Sequence, residues 1–284
     1  MQEFPDLFEL PLEKWIDRGV NWLTVEGDAF FDAIGGALLQ LLLWLEGALL
    51  WIPWFVMIGF VALIAWRVKD WRLAAGAAAG LFFIGLLGLW EASMKTLAIV
   101  LAATLLAIVV GVPIGIAMTR KDWIESLIRP ILDMMQTLPS FVYLIPALML
   151  FGLGKVPALI ATFIYAVPLS IRFTNLGIRQ VPEDVIEAAE AFGATQQQQL
   201  FKVQLPLALP TIMAGINQTI MMALAMVVVA SMIGAGGLGS EVLNGISRLE
   251  VGRGFVAGIS IVILAIIMDR ITQNMAPARA KAVE

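Results

Sequence analysis

The feature that most constrains this chain is a series of long segments that carry no charged side chain. These segments are Thr96–Thr119, Met134–Gly154, Val156–Ile171, Val203–Ser240 and Gly254–Met268. A helix needs about 20 mostly apolar residues to cross the hydrocarbon core of a bilayer. The whole chain is 60% hydrophobic and 14% charged, whereas soluble domains are about 45–50% apolar and about 25% charged. The sequence therefore predicts an all-α integral membrane protein.

Seven segments have the length and composition of membrane-crossing helices. They are 48–66, 71–89, 93–119, 139–154, 155–174, 206–233 and 252–270. The fourth is short and contains proline, so its limits are open. An eighth candidate, Phe30–Gly47, has a polar stripe because Asp28, Asp32 and Gln40 recur at multiples of four, and Glu46 interrupts it. We expect this segment to lie in the membrane interface as an amphipathic helix, with a true span as the alternative.

The distribution of basic residues predicts the orientation of the chain. With the N-terminus outside and seven alternating spans, twelve of the 18 Lys and Arg residues fall in cytoplasmic segments, and the acidic N-terminus lies outside. Cytoplasmic loops of membrane proteins carry an excess of Lys and Arg. An eighth span would place the N-terminal carboxylates in the cytoplasm. The charge bias therefore favours seven spans, an external N-terminus and a cytoplasmic C-terminus.

The N-terminal region differs in character from the rest of the chain. Its first 27 residues lack the basic start and short apolar core of a signal peptide. Leu10–Leu23 has the apolar spacing of a surface helix, with Trp15 and Trp22 as interface anchors. We expect an extracytoplasmic or interfacial region at 1–47, two peripheral spans within 48–92, a five-span core at 93–273 and a cytoplasmic tail at 274–284.

Several classes of chemistry are excluded or disfavoured by what the sequence lacks. The chain has no Cys and no His, so it offers neither thiol chemistry nor the commonest metal ligand. It contains no G-x-x-x-x-G-K-[ST] phosphate-binding loop, and the glycine cluster Gly234–Gly239 is better explained as a flexible external turn. The uncharged segments argue strongly against proton coupling and less strongly against sodium coupling. We therefore expect a transport subunit, not an enzyme, that draws energy from a partner.

The predicted cytoplasmic loop 182–206 is the most informative stretch outside the spans. Pro182 suits a first helical turn, and Gly193 is a natural C-terminal stop. Thr195 and Gln198 have the spacing of a capping box that opens a second helix, and Leu205-Pro206 is expected to end it. The product is a helix–glycine–helix knuckle. An ordinary amphipathic loop is the alternative on these grounds alone.

Resemblance to a known family distinguishes the two interpretations. Glu187-Ala188-Ala189, followed by Gly193 and then Leu205-Pro206, resembles the "EAA" coupling motif of ABC importer permeases. In that family this loop docks into a groove of the ATPase. The resemblance assigns ATPase coupling to a set of seven residues. The set is Glu187, Ala188, Ala189, Phe192, Gly193, Leu205 and Pro206.

Three further stretches, 133–146, 201–219 and 230–239, resemble the glycine betaine/proline betaine permeases of bacterial osmoprotectant importers. The resemblance covers nearly the whole chain. It implies a type I ABC importer permease fold in the bacterial inner membrane, a homodimer, two ATPase subunits and a separate external binding protein. It also implies that this chain holds no cofactor, since the ATPase binds ATP and Mg²⁺. Choline, methionine or another amino acid is the alternative solute, and an ion-coupled transporter or a non-transporting scaffold is the alternative class.

The solute route is expected at polar or aromatic side chains near proline kinks of the spans. A quaternary ammonium ion is held by cation–π contacts in aromatic cages, and the resemblance places the tight cage on the binding protein. The pathway candidates in this chain are Gln136, Thr137, Phe141, Tyr143, Asn217 and Gln218. For each of them, helix packing is the competing explanation.

Overall fold

The computed structural model describes residues 11–275, and all regular structure in that range is helical. The helices are α1 (Leu12–Glu26), α2 (Asp28–Trp51), α3 (Trp54–Val68), α4 (Trp71–Leu86), α5 (Trp90–Arg120), α6 (Asp122–Thr137), α7 (Leu144–Phe151), α8 (Lys155–Arg179), α9 (Glu183–Ala191), α10 (Gln196–Gln198), α11 (Leu205–Ala230), α12 (Gly237–Ser247) and α13 (Val251–Met275). The expectations for the first ten residues and most of the tail lie outside the described residues.

Three long helices, α5, α8 and α11, form the centre of the bundle. Gly111 and Gly115 of α5 lie so close to α8 that a Cβ atom would come within 2.7 Å of Ser170 and 2.6 Å of Thr174. Small residues permit such close approach of helices in membranes. The main buried cluster, which includes Val100, is built mostly from these three helices.

Helices α3 and α4 form a peripheral hairpin that packs against α13 through Ala65, Leu81 and Ile267. Asp70 caps α4 by accepting a 2.8 Å hydrogen bond from the Leu73 N–H. The predicted span 48–66 is wrong in its start. Helix α2 continues to Trp51 and α3 begins after Pro53, because proline cannot supply the N–H that a continuous helix requires.

Helix α2 crosses the start of α8 instead of running beside it. Gly35 lies against Phe151 and Val156. Eleven residues later, Glu46 forms a 2.5 Å ion pair with Lys155. If α2 ran parallel to α8, Gly35 and Glu46 would contact residues about eleven positions apart along α8, since both helices rise about 1.5 Å per residue. This placement favours the interfacial interpretation of the segment, although its length and hydropathy alone would permit a span.

Five helices in the described range are long and apolar enough to cross a membrane: α2, α5, α8, the continuous helix Gln196–Ile233 and α13. The pair α6 and α7, bent by 110°, is a sixth candidate. The predicted fourth span, 139–154, is wrong in its limits, because its helix α7 has only eight residues and is separated from α6 by the 110° bend. With α2 in the interface, five of these candidates remain, and seven crossings require the 15- and 16-residue helices α3 and α4 to cross as well.

The glycine cluster Gly234–Gly239 is an ordered turn, which corrects the expectation of a flexible one. Gly234, Gly236 and Gly237 have positive φ values of 95°, 77° and 70°, a region that suits glycine. The Leu238 N–H donates a buried 2.8 Å hydrogen bond to the Thr96 hydroxyl. The turn opens α12 and fixes it against α5.

Candidate functional site

The helix–glycine–helix knuckle predicted at 182–206 is present. Helix α9 ends in a Schellman motif, in which the Ala194 N–H donates to the Ala189 carbonyl at 3.0 Å and the Gly193 N–H to the Glu190 carbonyl at 2.8 Å. Gly193 has a φ of +77° and open space around it. Glycine is therefore needed for its backbone conformation and not for lack of room. Pro182 precedes α9 as its N-cap instead of lying in its first turn.

The second half of the knuckle begins as predicted and ends differently. Thr195 and Gln198 form the capping box, with bonds of 3.3 Å and 2.9 Å. The expectation that Leu205-Pro206 ends this helix is wrong, because the helix continues to Ile233. A π-helical turn at Gln199–Gln204 precedes Pro206, and the Leu205 N–H donates to the Leu200 carbonyl five residues back. The wider turn lets the chain pass a proline without ending the helix.

The outer surface of the knuckle exposes three of the predicted coupling residues. Glu187 and Ala188 are exposed, and the Phe192 side chain is 93% exposed. Ala189 is half-buried on the opposite face. An aromatic side chain with almost no intramolecular contact, next to a flat alanine surface, is the kind of feature that anchors a protein interface.

The inner surface of the knuckle is bound to the transmembrane bundle. Gln199 donates a 3.0 Å hydrogen bond to the Glu190 carboxylate, which joins α9 to the π-helical turn. Leu205 packs beside a buried cluster formed by Ile178, Leu200, Ala208 and Ile212, while Pro206 is exposed. Because Ile178 belongs to α8 and Ala208 to α11, the knuckle is in contact with two central helices.

The second candidate region is the break between α6 and α7. The chain bends at Leu138-Pro139, follows a 3₁₀ turn at Ser140–Tyr143 and enters α7. The Gln136, Thr137 and Phe141 side chains are exposed at this break. Tyr143 is buried, and its hydroxyl donates across the break to the Met135 carbonyl. Three pathway candidates are thus exposed close to the same break, and Tyr143 braces the break from its buried side.

The remaining pathway candidates, Asn217 and Gln218, are separated by the helical repeat. Asn217 is 3% exposed and donates a 2.8 Å hydrogen bond to Asp269 of α13. Its side-chain amide oxygen Oδ1 accepts a hydrogen bond from the Thr272 hydroxyl. These contacts favour the packing explanation for Asn217, while Gln218 is exposed.

Sequence reasoning missed the charged groups that lie inside the observed helices. Helix α8 runs to Arg179 and α13 to Met275, beyond the predicted ends at 174 and 270, so Arg172 and Asp269 lie well inside helices and not at their ends. Arg172 pairs with Asp133 of α6. The available signal was the opposite charge of Arg172 and Asp133, but the sequence alone does not show that α6 and α8 are neighbours. The Gly111-x-x-x-Gly115 spacing likewise indicates a close helix contact.

Comparisons with known proteins agree with this architecture. The model of a family described as binding-protein-dependent transport system inner membrane component matches residues 107–281. The glycine betaine transport system permease protein OpuAB of Bacillus subtilis is 49% identical over 266 residues, which covers 94% of each chain. The glycine betaine/proline betaine transport system permease protein ProW of Escherichia coli is 50% identical over 264 residues, which covers 93% of this chain and 75% of that protein.

A solved structure also matches. The MetNI methionine ABC transporter, in an inward-facing conformation, aligns with a TM-score of 0.58 at 22% identity and covers 66% of this chain and 92% of the other. At this identity the likeness bears on the fold alone. It confirms the predicted all-α fold of type I ABC importer permeases.

Proposed function

The chain belongs to the family of binding-protein-dependent transport system inner membrane components, which are ABC permeases, and we propose that it imports glycine betaine, proline betaine or a related quaternary amine. The observation that carries the proposal is the near-complete alignment with two betaine permeases at about half identity. The knuckle at 182–206 supports the ATP-driven part, since it offers an exposed docking surface rigidly joined to α8 and α11.

The proposal includes the partners that complete the transporter. Two ATPase subunits bind ATP and Mg²⁺ and dock on the knuckles, and an external binding protein delivers the solute. This chain carries no bond chemistry and no cofactor. It lies in the inner membrane as a multi-pass protein, with its N-terminus outside and its C-terminus in the cytoplasm.

A second copy of the chain is part of the proposed assembly, and the break between α6 and α7 supports it. The break interrupts the helical hydrogen bonds and exposes Gln136 and Thr137. Irregular backbone at membrane depth is tolerated where protein or a water-filled cavity covers it, and not against lipid. A homodimer whose pathway runs along this surface meets that requirement.

Reconstitution tests the proposal directly. The chain, its ATPase and its binding protein would be placed in liposomes, and uptake of radiolabelled glycine betaine would be measured with and without ATP. We expect ATP-dependent uptake that vanadate blocks and that proline betaine competes. Stronger competition by choline or methionine would show that the stronger competitor, and not a betaine, is the substrate. Uptake driven by an ion gradient without ATP would overturn the proposed ATP-driven mechanism. An ATPase unable to hydrolyse ATP is the matched control.

A further inference from the structure

An ion pair on the exposed surface between α6 and α8 has features that a purely structural ion pair does not need. Arg172 Nη2 lies 2.5 Å from Asp133 Oδ1, and the two side chains are 34% and 58% exposed. Within the described residues this carboxylate is the one hydrogen-bond partner of the guanidinium, and the buried Nε atom has none. The arginine therefore has unused donors.

Arg179, on the same helix, is a structural arginine whose donors are occupied by several partners. Arg179 donates from Nε to Asn175 at 3.0 Å and from Nη2 to the Met118 carbonyl at 3.2 Å. It also pairs with Glu125 at 2.5 Å and Asp122 at 3.1 Å. Both arginines join α8 to the α5–α6 region. Arg179 is held by several groups at the helix end, and Arg172 by one.

The position of the pair along α6 and α8 makes its exposure informative. Helix α8 has 25 residues and is about 37 Å long, so Arg172 lies about 10 Å inside its C-terminal end. Asp133 lies one helical turn before Gln136, which is exposed at the break between α6 and α7. The exposed surface around Arg172 and Asp133 therefore adjoins the surface along which the proposed pathway runs.

We propose that Arg172 and Asp133 form a transient subsite for the zwitterionic solute, and this inference rests on the proposed function. A betaine carries a carboxylate and a quaternary ammonium group. The guanidinium binds the carboxylate, which it can hold through two N–H groups at once. The Asp133 carboxylate faces the ammonium group, which has no N–H to donate and is attracted by charge alone.

The exchange of partners explains why such a site holds the solute only briefly. Before binding, Arg172 and Asp133 neutralise each other. After binding, each is neutralised by the opposite end of the zwitterion, so the net charge of the site is zero in both states. Gln136, one turn after Asp133 on the same face of α6, is exposed and adds a neutral polar contact. The solute gains little over the existing ion pair, which permits release.

The subsite can be tested by direct binding to the permease–ATPase complex in lipid nanodiscs without the binding protein. Saturation-transfer NMR would detect weak contact with the methyl protons of glycine betaine, and of choline, which lacks the carboxylate. We expect Arg172→Gln to reduce the betaine signal at least fivefold and to leave the choline signal unchanged. Asp133→Asn should reduce both signals. The matched control, Arg179→Gln, removes a structural ion pair between the same helices and should change neither.

Two further measurements distinguish failure of the subsite from failure of the proposed function. Arg172→Lys retains the charge opposite Asp133 but loses the paired N–H geometry, so it should assemble normally and still weaken the betaine signal severalfold. Wild-type betaine signal in both Arg172 variants would overturn the subsite, as would no betaine signal in the wild type. Absence of ATP-dependent betaine uptake by the wild-type complex would instead overturn the proposed function.

Discussion

Asn217 of α11 donates a 2.8 Å hydrogen bond to the Asp269 carboxylate of α13, in a helix contact that buries the amide almost completely. The Thr272 hydroxyl completes the contact by donating to the side-chain oxygen Oδ1 of Asn217, and Gln273 donates to Asp269 at 2.6 Å. The cluster joins a central helix to a peripheral one, and α13 in turn supports the α3–α4 hairpin.

Asn217→Leu should therefore act on stability more than on solute contact. The substitution leaves Asp269 and Thr272 without their interhelical partner, and hydrogen bonds between membrane helices contribute about 0.6–2 kcal/mol. We expect a lower thermal unfolding temperature in detergent and near-normal transport by the protein that remains folded. Gln218→Leu, at the adjacent exposed position, is the matched control and should leave the unfolding temperature unchanged. Unchanged stability with reduced uptake in Asn217→Leu would instead indicate that Asn217 contacts the solute in the pathway.

Substitution of Gly193 should uncouple the ATPase through backbone strain. Its φ of +77° costs a non-glycine residue about 1–2 kcal/mol, and a β-branched side chain suits it least. Gly193→Val should weaken co-purification with the ATPase while membrane insertion stays normal. Gly193→Asn is the control, because asparagine tolerates this conformation and the space around the glycine is open. Equal ATPase binding by both variants would show that the turn is not required.

Phe192→Ala should weaken ATPase binding without destabilising the permease. The side chain is 93% exposed, so its removal costs the isolated chain little. An aromatic anchor in an interface commonly contributes more than about 1 kcal/mol, so the ATPase affinity should fall about fivefold or more in a titration. Val251→Ala, at an exposed position predicted to lie on the external side, should not change the affinity. An unaltered affinity in Phe192→Ala would remove this residue from the docking surface.

The sequence predicted features that local chemistry determines. Gly193 and the Thr195–Gln198 capping box depend on backbone conformation and on residues three apart, and both are present. The π-helical turn before Pro206 was not predictable, because the packing of Leu200 and Ala208 against α8 compensates for the disruption that proline causes. The role of Asn217 depends on which face of α13 meets α11, and a single sequence does not contain that pairing.

Gly115→Ala should destabilise the bundle by overpacking. A Cβ atom at this position would lie 2.6 Å from Thr174 Cβ and 2.8 Å from the Ile171 carbonyl, and neither group can move without displacing α8. Overpacking of this kind costs about 1–3 kcal/mol. Gly76→Ala is the matched control, since that helical glycine has open space around it. Unfolding in detergent should begin at a lower temperature in Gly115→Ala only, and equal shifts in both variants would contradict the close contact.

The course of α2 can be tested by cross-linking, because the chain has no cysteine of its own. Two pairs of cysteines would be introduced, Gly35→Cys with Val156→Cys, and Glu46→Cys with Lys155→Cys. A helix that crosses the start of α8 brings both pairs within reach of a short bis-thiol reagent. A helix parallel to α8 would satisfy one pair and place the other about 16 Å away along its axis, since eleven residues separate Gly35 from Glu46. Cross-linking of both pairs in membranes would establish the crossing, and cross-linking of only one would mean that α2 runs along α8 as a span.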